Sequence, residues 1–240
     1  MYTSENLERW GKSIMSQAND LQRLFPGINV ACGNQLFGEG SYWKNLQQVL
    51  PNGATYLAIF PKHSVLARYA TGNETWPVYN RALAHTLAIM KQTRTDFVDW
   101  SDGRIGPENE RMTTATKDVF DELEKRPGDV IALAIQTGIL HCNESARNVQ
   151  ASFGGQEFGL DSVSASSFLL VHPKRLMKYE HLGIDCPGSE RVHKNTDQFD
   201  HTSCFSFRDG NLGFGARPFA DPHPCYGSAS AFLPALKVKS

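Results

Sequence analysis

The short apolar segment 130–135, with the sequence VIALAI, most constrains how this chain can fold. It is rich in β-branched residues, and the turn-forming segment 126–129 (RPGD) separates it from the charged helical pattern that precedes it. A run of this length that is apolar on both faces is typical of a central strand covered on both sides. We expect this strand to end at the Gln136-Thr137-Gly138 segment.

The residues that follow predict a strand–helix–helix–strand unit. Residues 157–171 combine apolar and small side chains, which favours a largely buried helix. His172-Pro173 should end it, because proline disfavours the helical conformation in the residue before it. Pro173 is expected to open a second helix that runs through Tyr179, and residues 181–186 are expected to form a returning strand.

Apolar spacing of three and four residues predicts further helices at 5–24, 77–94 and 112–125. Shorter helices are expected at 43–50 and 61–70. Residues 96–109 are expected to form a loop, or a short strand followed by a loop, and residues 188–202 an exposed loop. Residues 55–60 (TYLAIF) favour a second strand. In the segment 203–219, apolar residues alternate on two arms around an Asp-Gly pair, which indicates a hairpin.

The predicted fold class is therefore α/β (or α+β) mixed. Strands near 55–60, 130–135 and 182–186 form a central sheet packed by helices, and an antiparallel hairpin near 203–219 is added at the C-terminal side. No linker, repeat or low-complexity tract interrupts the pattern. We expect residues 1–240 to form a single globular domain.

Charge, hydropathy and cysteine usage narrow the class of protein. The formal net charge of −1 gives no overall attraction to nucleic acid or to an anionic membrane. No apolar run approaches the roughly 20 residues that a bilayer span requires, and the polar start has no hydrophobic signal core. Five widely spread cysteines indicate reduced thiols rather than a disulfide framework. We expect a cytoplasmic protein without a membrane partner.

The C-terminal third concentrates side chains that can bind metal ions. His201 lies close to Cys204 in sequence, and His223 lies close to Cys225. Zinc accepts imidazole nitrogen and thiolate sulfur in a tetrahedral arrangement, so two such pairs predict a zinc site. With an open position, the metal would activate water for hydrolysis. The candidate bases for that reaction are Asp185, Glu190 and Asp200. Alternatively, the cysteines are small buried apolar residues and the histidines belong to loops.

Basic residues are concentrated in the segment 172–194. They are Lys174, Arg175, Lys178, Arg191 and Lys194. With Tyr179 nearby, and with Arg208 and Arg217 beside phenylalanines, these residues predict a surface that binds single-stranded nucleic acid by phosphate contact and base stacking. A solvated helix face explains the same basic residues and is the simpler interpretation.

No motif in the sequence assigns a reaction or identifies a family. The Gly-rich segment 33–41 lacks the Gly-Lys-Ser/Thr ending of a phosphate loop, and the serine hydrolase motif G-x-S-x-G is absent. The leading hypothesis is a binding or accessory protein without catalytic activity. Its partner is unassigned, and a protein and a nucleic acid are the candidates. A zinc-dependent hydrolase and a nucleic-acid-binding protein remain the alternatives.

Overall fold

The structure is a computed structural model that describes residues 12–30, 53–192 and 197–233. Several expectations fall outside these residues. They concern the start of the helix at 5–24, the loop at 33–41, the helix at 43–50 and Lys194.

Six α-helices, one 3₁₀ turn and nine strands make up the described part of the chain. The helices are α1 (Ile14–Leu24), α2 (His63–Tyr69), α3 (Val78–Thr93), α4 (Thr114–Glu124), α5 (Ala146–Ser152) and α6 (Ser162–Val171), and Pro173–Arg175 forms the 3₁₀ turn. The strands are β1 (Tyr56–Pro61), β2 (Phe97–Asp99), β3 (Glu110–Met112), β4 (Val130–Cys142), β5 (Glu157–Gly159), β6 (Gly183–Arg191), β7 (His201–Arg208), β8 (Asn211–Pro218) and β9 (Tyr226–Phe232).

All nine of these strands belong to one mixed sheet. Its main order is β1-β4-β9-β6-β7-β8-β2, while β3 pairs with β6 and β5 pairs with β9. The β6–β9 and β2–β8 pairs are parallel, and the other pairs are antiparallel. The predicted mixed α/β class is therefore confirmed, and the expected strands correspond to β1, β4 and β6.

Strand β4 is the long strand that the VIALAI segment predicted; it is paired on both sides, by β1 and by β9, and all six of those residues are buried. The expected end of the strand at Gly138 was wrong. Gly138 has a φ of 111° and lies so close to Gly227 that an added Cβ would be 2.7 Å from the Gly227 carbonyl oxygen. The glycine lets the strand shift register between Thr137 and Cys142 and continue instead of ending.

Helix α6 is buried along its whole length, as the serine-rich pattern predicted. It begins later than expected, because residues 157–159 form β5 against β9. Asp161 then caps the helix by accepting hydrogen bonds from the backbone N–H groups of Val163 (2.8 Å) and Ser164 (3.0 Å). The small side chains allow close packing on α3, where Ser166 Oγ donates to Thr86 Oγ1 at 3.0 Å.

Three further expectations need correction. The second helix predicted from Pro173 to Tyr179 is only the short 3₁₀ turn. The loop predicted at 188–202 begins later, because β6 continues to Arg191 by pairing with β3. The helix predicted at 112–125 begins at Thr114, where the Thr113 side chain caps it.

The predicted C-terminal hairpin is present as β7 and β8, and it is continuous with the main sheet. Phe205 and Phe214 lie opposite each other in this pair, with ring centroids 5.0 Å apart, and both belong to the main hydrophobic core. None of the helices in the described ranges is long and apolar enough to span a bilayer.

Candidate functional site

The candidate site lies on the face of the sheet opposite Phe205 and Phe214. Successive side chains of a strand point to opposite faces, so Cys204, Gly215 and Arg217 face away from those two rings. Asp185 of β6 pairs with Cys204 and shares this face. A cavity of about 350 Å³ is located here. Four arginines and two aromatic residues among its walls define what we call the arginine pocket: Arg104, Arg191, Arg208, Arg217, Trp100 and Tyr226.

Two of the four arginines have buried acidic partners. The Nη1 atom of Arg217 lies 3.4 Å from Oδ2 of Asp185, and the Nη1 atom of Arg191 lies 3.6 Å from Oε2 of Glu110. Arg191 also donates to the backbone carbonyl of Arg104 at 3.0 Å. These pairs place two of the positive charges opposite carboxyl groups and hold the two guanidinium groups in fixed positions.

The other two arginines have no acidic partner among the described residues. Arg208 donates one hydrogen bond, from Nη2 to the Tyr226 hydroxyl at 2.8 Å. No described residue forms a hydrogen bond or an ion pair with the guanidinium of Arg104. A guanidinium carries several N–H donors in a planar fork that matches phosphate and carboxylate groups. The pocket therefore presents unused donors and an excess of positive charge.

Two further polar groups lie at or near the arginine pocket: the Cys204 thiol, which lines it, and the Asp185 carboxyl group, which lies beside Arg217. Burial raises the pKa of the Cys204 thiol to about 12, so this cysteine is protonated near neutral pH and is a poor nucleophile. Burial also raises the pKa of Asp185 to about 6, against the opposing effect of Arg217. The Oδ1 atom of Asp185 has no hydrogen-bond partner in the described part of the chain.

Trp100 forms the aromatic wall of the arginine pocket. It follows β2 directly, and its backbone N–H donates to the Phe214 carbonyl at 2.9 Å. Its indole ring lies over Gly213 and Gly215 of β8, where the absence of a side chain makes room for it. The residue is nevertheless 43% exposed. One side of the indole thus rests on the strand, while a large part of the residue stays accessible.

A second cavity, of about 300 Å³, adjoins the first and shares Arg208 and Tyr226 with it. Its other walls include Tyr179, His181 and His223. Burial and the nearby charges of Arg217 and Arg208 lower the pKa of His223. At neutral pH this neighbouring cavity therefore adds aromatic and neutral imidazole groups to the positive charge of the arginine pocket.

A buried network lies behind the arginine pocket and supports Arg191. Glu110 is fully buried and accepts hydrogen bonds from the hydroxyls of Ser203 (2.7 Å), Tyr79 (3.3 Å) and Ser162. Burial raises the pKa of Glu110, while Arg191 and the hydroxyl groups act in the opposite direction. The network fixes the carboxyl group that faces Arg191.

The four predicted zinc ligands do not share a centre. His201 and Cys204 are three residues apart in β7, so their side chains leave the strand on opposite faces. His223 Nδ1 accepts a hydrogen bond from the backbone N–H of Cys225 at 3.1 Å, and both line the second cavity. Across residues 12–30, 53–192 and 197–233, no group of three or more His, Cys, Asp or Glu side chains is placed to hold a metal ion.

The predicted basic segment divides into exposed, buried and pocket residues. Lys174 and Lys178 are exposed. Arg175 is 2% exposed and donates hydrogen bonds to Thr137 Oγ1 (2.9 Å), Thr137 O (2.7 Å) and Leu182 O (2.9 Å), so it holds β4 to the start of β6. Arg191 lines the arginine pocket. The structure thus brings Arg191 together with Arg208 and Arg217, and not with the two lysines.

A serine, a glutamate and a histidine also meet elsewhere, where β4, β5 and β9 adjoin. Glu157 Oε1 lies 2.9 Å from His141 Nε2 and accepts a hydrogen bond from Ser230 Oγ. In a hydrolytic triad the histidine lies between the serine and the acid, so that it can take the serine proton. Here the carboxylate lies between them, and the arrangement does not activate Ser230.

Comparison with protein-family models, with curated proteins and with solved structures finds no match to the chain. The sequence analysis missed Trp100 and Arg104, which it placed in a loop without a function. The alternating glycines of the LGFG segment in β8 are the signal that could have indicated a close approach to this strand.

Proposed function

We propose that the protein binds a small, multiply charged anionic ligand in the arginine pocket, in keeping with the leading hypothesis of a binding protein without catalytic activity. The observation that carries this proposal is the meeting of four arginines in one cavity of about 350 Å³. A volume of this size is at the lower end of the range for small-molecule sites. It fits a compact ligand.

Phosphate groups are the ligand chemistry that fits these donors best. Arginine binds phosphate through paired, charge-assisted hydrogen bonds. Asp185 and Glu110 balance two of the arginines from behind, while Arg104 and Arg208 keep donors that no described residue uses. A ligand with two or more negative charges would neutralise the remaining positive charge of the pocket.

The experiment is a calorimetric titration with inorganic pyrophosphate at low ionic strength, where attraction between charges is screened least. Arg104→Gln and Arg208→Gln each remove one charged donor, and we expect each to weaken binding about tenfold or more. Neither substitution leaves a buried acid without its partner, which Arg217→Gln and Arg191→Gln would do.

The matched control is the double variant Lys174→Gln/Lys178→Gln, which removes two exposed charges outside the arginine pocket. We expect its pyrophosphate affinity to stay within about twofold of the wild type. Absence of binding by the wild-type protein at low salt would overturn the proposal. If the pyrophosphate affinity falls more in the lysine variant than in the arginine variants, the binding site is in the predicted basic segment and not in the arginine pocket.

A further inference from the structure

We infer that the natural ligand of the arginine pocket is a nucleoside phosphate, whose base stacks on Trp100 while its phosphate contacts the arginines. This inference rests on the proposed function and deepens it by naming the ligand class. It depends on a feature that simple anion binding does not require, which is an accessible indole ring in the wall of a positively charged cavity.

The position of Trp100 shows that its surface is built into the pocket. The indole lies so close to Gly213 that an added Cβ would be 2.0 Å from Cζ3 of the ring. Gly213 and Gly215 therefore give β8 a flat surface on which the indole packs. A ring supported on one side and accessible elsewhere is the arrangement on which another planar ring stacks.

The second aromatic residue of the pocket is not available in the same way. The Arg217 guanidinium carbon lies 4.1 Å from the centroid of the Tyr226 ring, and the Arg208 guanidinium carbon lies 5.5 Å from it. The ring also covers Gly183, where an added Cβ would be 2.7 Å from Tyr226 Cδ1. Tyr226 thus orients the arginines, and Trp100 is left as the platform for a ligand ring.

The two halves of the pocket then match the two halves of one ligand. Trp100 supplies an aromatic platform, and Arg104 and Arg208 supply donors with no acidic partner among the described residues. A nucleoside phosphate carries a planar base and an anionic group on one small molecule. A sugar phosphate would leave Trp100 unused, and a free nucleoside would leave the arginines unused.

The test compares adenosine monophosphate with ribose 5-phosphate, which has the same phosphate and sugar but no base. Wild-type protein should bind the nucleotide about tenfold to hundredfold more tightly, because stacking of one base on an aromatic side chain contributes that much. Nucleotide binding should also quench the fluorescence of Trp100. Trp100→Leu should lower the affinity for the nucleotide to about that for ribose 5-phosphate measured on the same variant, while Trp100→Phe should keep part of the preference for the nucleotide.

Tyr179→Leu is the matched control, because Tyr179 is 69% exposed and lines the neighbouring cavity but not the arginine pocket. We expect it to bind adenosine monophosphate as the wild type does. Equal affinity of the wild type for the nucleotide and for ribose 5-phosphate would overturn this inference and leave the proposed function standing. Failure of pyrophosphate, ribose 5-phosphate and nucleotide alike would overturn both. If a single-stranded oligonucleotide binds more tightly than the nucleotide, and if Tyr179→Leu removes this difference, the natural ligand is a nucleic-acid polymer and not a single nucleotide.

Discussion

Asp185 Oδ2 lies 3.4 Å from Nη1 of Arg217, on the face of the sheet that carries the arginine pocket. This distance is longer than a good charged hydrogen bond, and Asp185 is only 3% exposed. A carboxylate that is buried so deeply and paired so loosely is costly to ionise. Asp185 thus links the stability of the fold to the charge of the site.

The first prediction concerns the dependence of stability on pH. The folded protein raises the pKa of Asp185 from 3.8 to about 6, so it binds this proton more tightly than the unfolded chain does. The contribution of Asp185 to stability is therefore full below about pH 4 and is lost as the pH rises through about 6, by about 3 kcal/mol at most. Asp185→Asn should remove this loss.

Urea unfolding at a series of pH values between about 4 and 7 measures the effect. The difference in the free energy of unfolding between Asp185→Asn and the wild type should grow in favour of the variant with rising pH. The exposed Asp209 in the β7–β8 turn provides the control variant Asp209→Asn. A difference that does not change with pH would contradict the assignment of this titration to Asp185.

The second prediction concerns the affinity of the pocket. Asp185 carries a negative charge beside Arg217 at about pH 7, and this charge repels an anionic ligand. Asp185→Asn should therefore tighten the binding of pyrophosphate about fivefold, which corresponds to about 1 kcal/mol for a unit charge at close range in a high dielectric. Calorimetry at about pH 7 measures the change. Weaker binding by the variant would show that Asp185 is needed to orient Arg217.

The third prediction concerns the packing of the Trp100 indole ring on Gly213 and Gly215. In Gly213→Ala the new methyl group would meet Trp100 at 2.0 Å, whereas in Gly215→Ala it would meet the ring at an ordinary contact distance of 3.5 Å. Gly213→Ala should therefore displace the ring and destabilise the fold by about 1–3 kcal/mol, while Gly215→Ala should have a much smaller effect. Urea unfolding followed by tryptophan fluorescence tests both variants. Equal effects would contradict the observed position of the indole.

The fourth prediction concerns the buried network that supports Arg191. Glu110→Ala leaves the buried guanidinium of Arg191 without its acidic partner and should destabilise the fold by about 3–5 kcal/mol. The control is Glu108→Ala, which removes an exposed carboxylate two residues earlier and should be nearly neutral. Chemical denaturation measures both. Adding Arg191→Met to Glu110→Ala should recover part of the loss, and a further loss would show that Arg191 contributes independently of Glu110.

The fifth prediction concerns His141 and Glu157, whose ring nitrogen and carboxylate oxygen are 2.9 Å apart. Burial alone would lower the pKa of His141, but the hydrogen bond and charge of Glu157 overcome this effect and raise it. The stabilisation from the protonated histidine is therefore full below its unfolded pKa and is lost as the pH rises through the folded pKa. His141→Gln should destabilise the protein at about pH 6 more than at about pH 9. Denaturation curves for this variant and for Glu157→Gln should show the same trend, and a larger loss at high pH would contradict it.

The local parts of the fold could be predicted from the sequence. The VIALAI segment and the Asp209-Gly210 turn contain their own signals, namely apolar residues of strand-forming type and a residue pair that adopts positive φ. Element ends were harder to predict. Gly138 was expected to end β4, yet its partner Gly227 lies far along the chain, and only the folded sheet shows that the glycine lets the strand continue.

The site was much less predictable than the fold. Arg208 and Arg217 were noticed as basic residues beside aromatic ones, and Arg191 as part of a basic segment, but nothing in the local pattern joins them to Trp100. The packing of Trp100 on β8 depends on the parallel pairing of β2 with β8, which brings residues from distant parts of the sequence together. Buried acids such as Glu110 are equally difficult to predict from the sequence, because a charged residue in a short polar segment usually faces solvent.

The position of β9 in the sheet affects how the chain folds during its synthesis. This strand lies between β4 and β6 and also pairs with β5, although it is the last strand in the described part of the chain. When the ribosome has released the chain only as far as β8, strand β9 is still missing from the sheet. The edges of β4 and β6 that pair with β9 in the folded protein then have unpaired backbone N–H and C=O groups. Such open edges are sites of aggregation. Synthesis of this protein thus passes through a vulnerable interval that ends only when residues 226–232 enter the sheet.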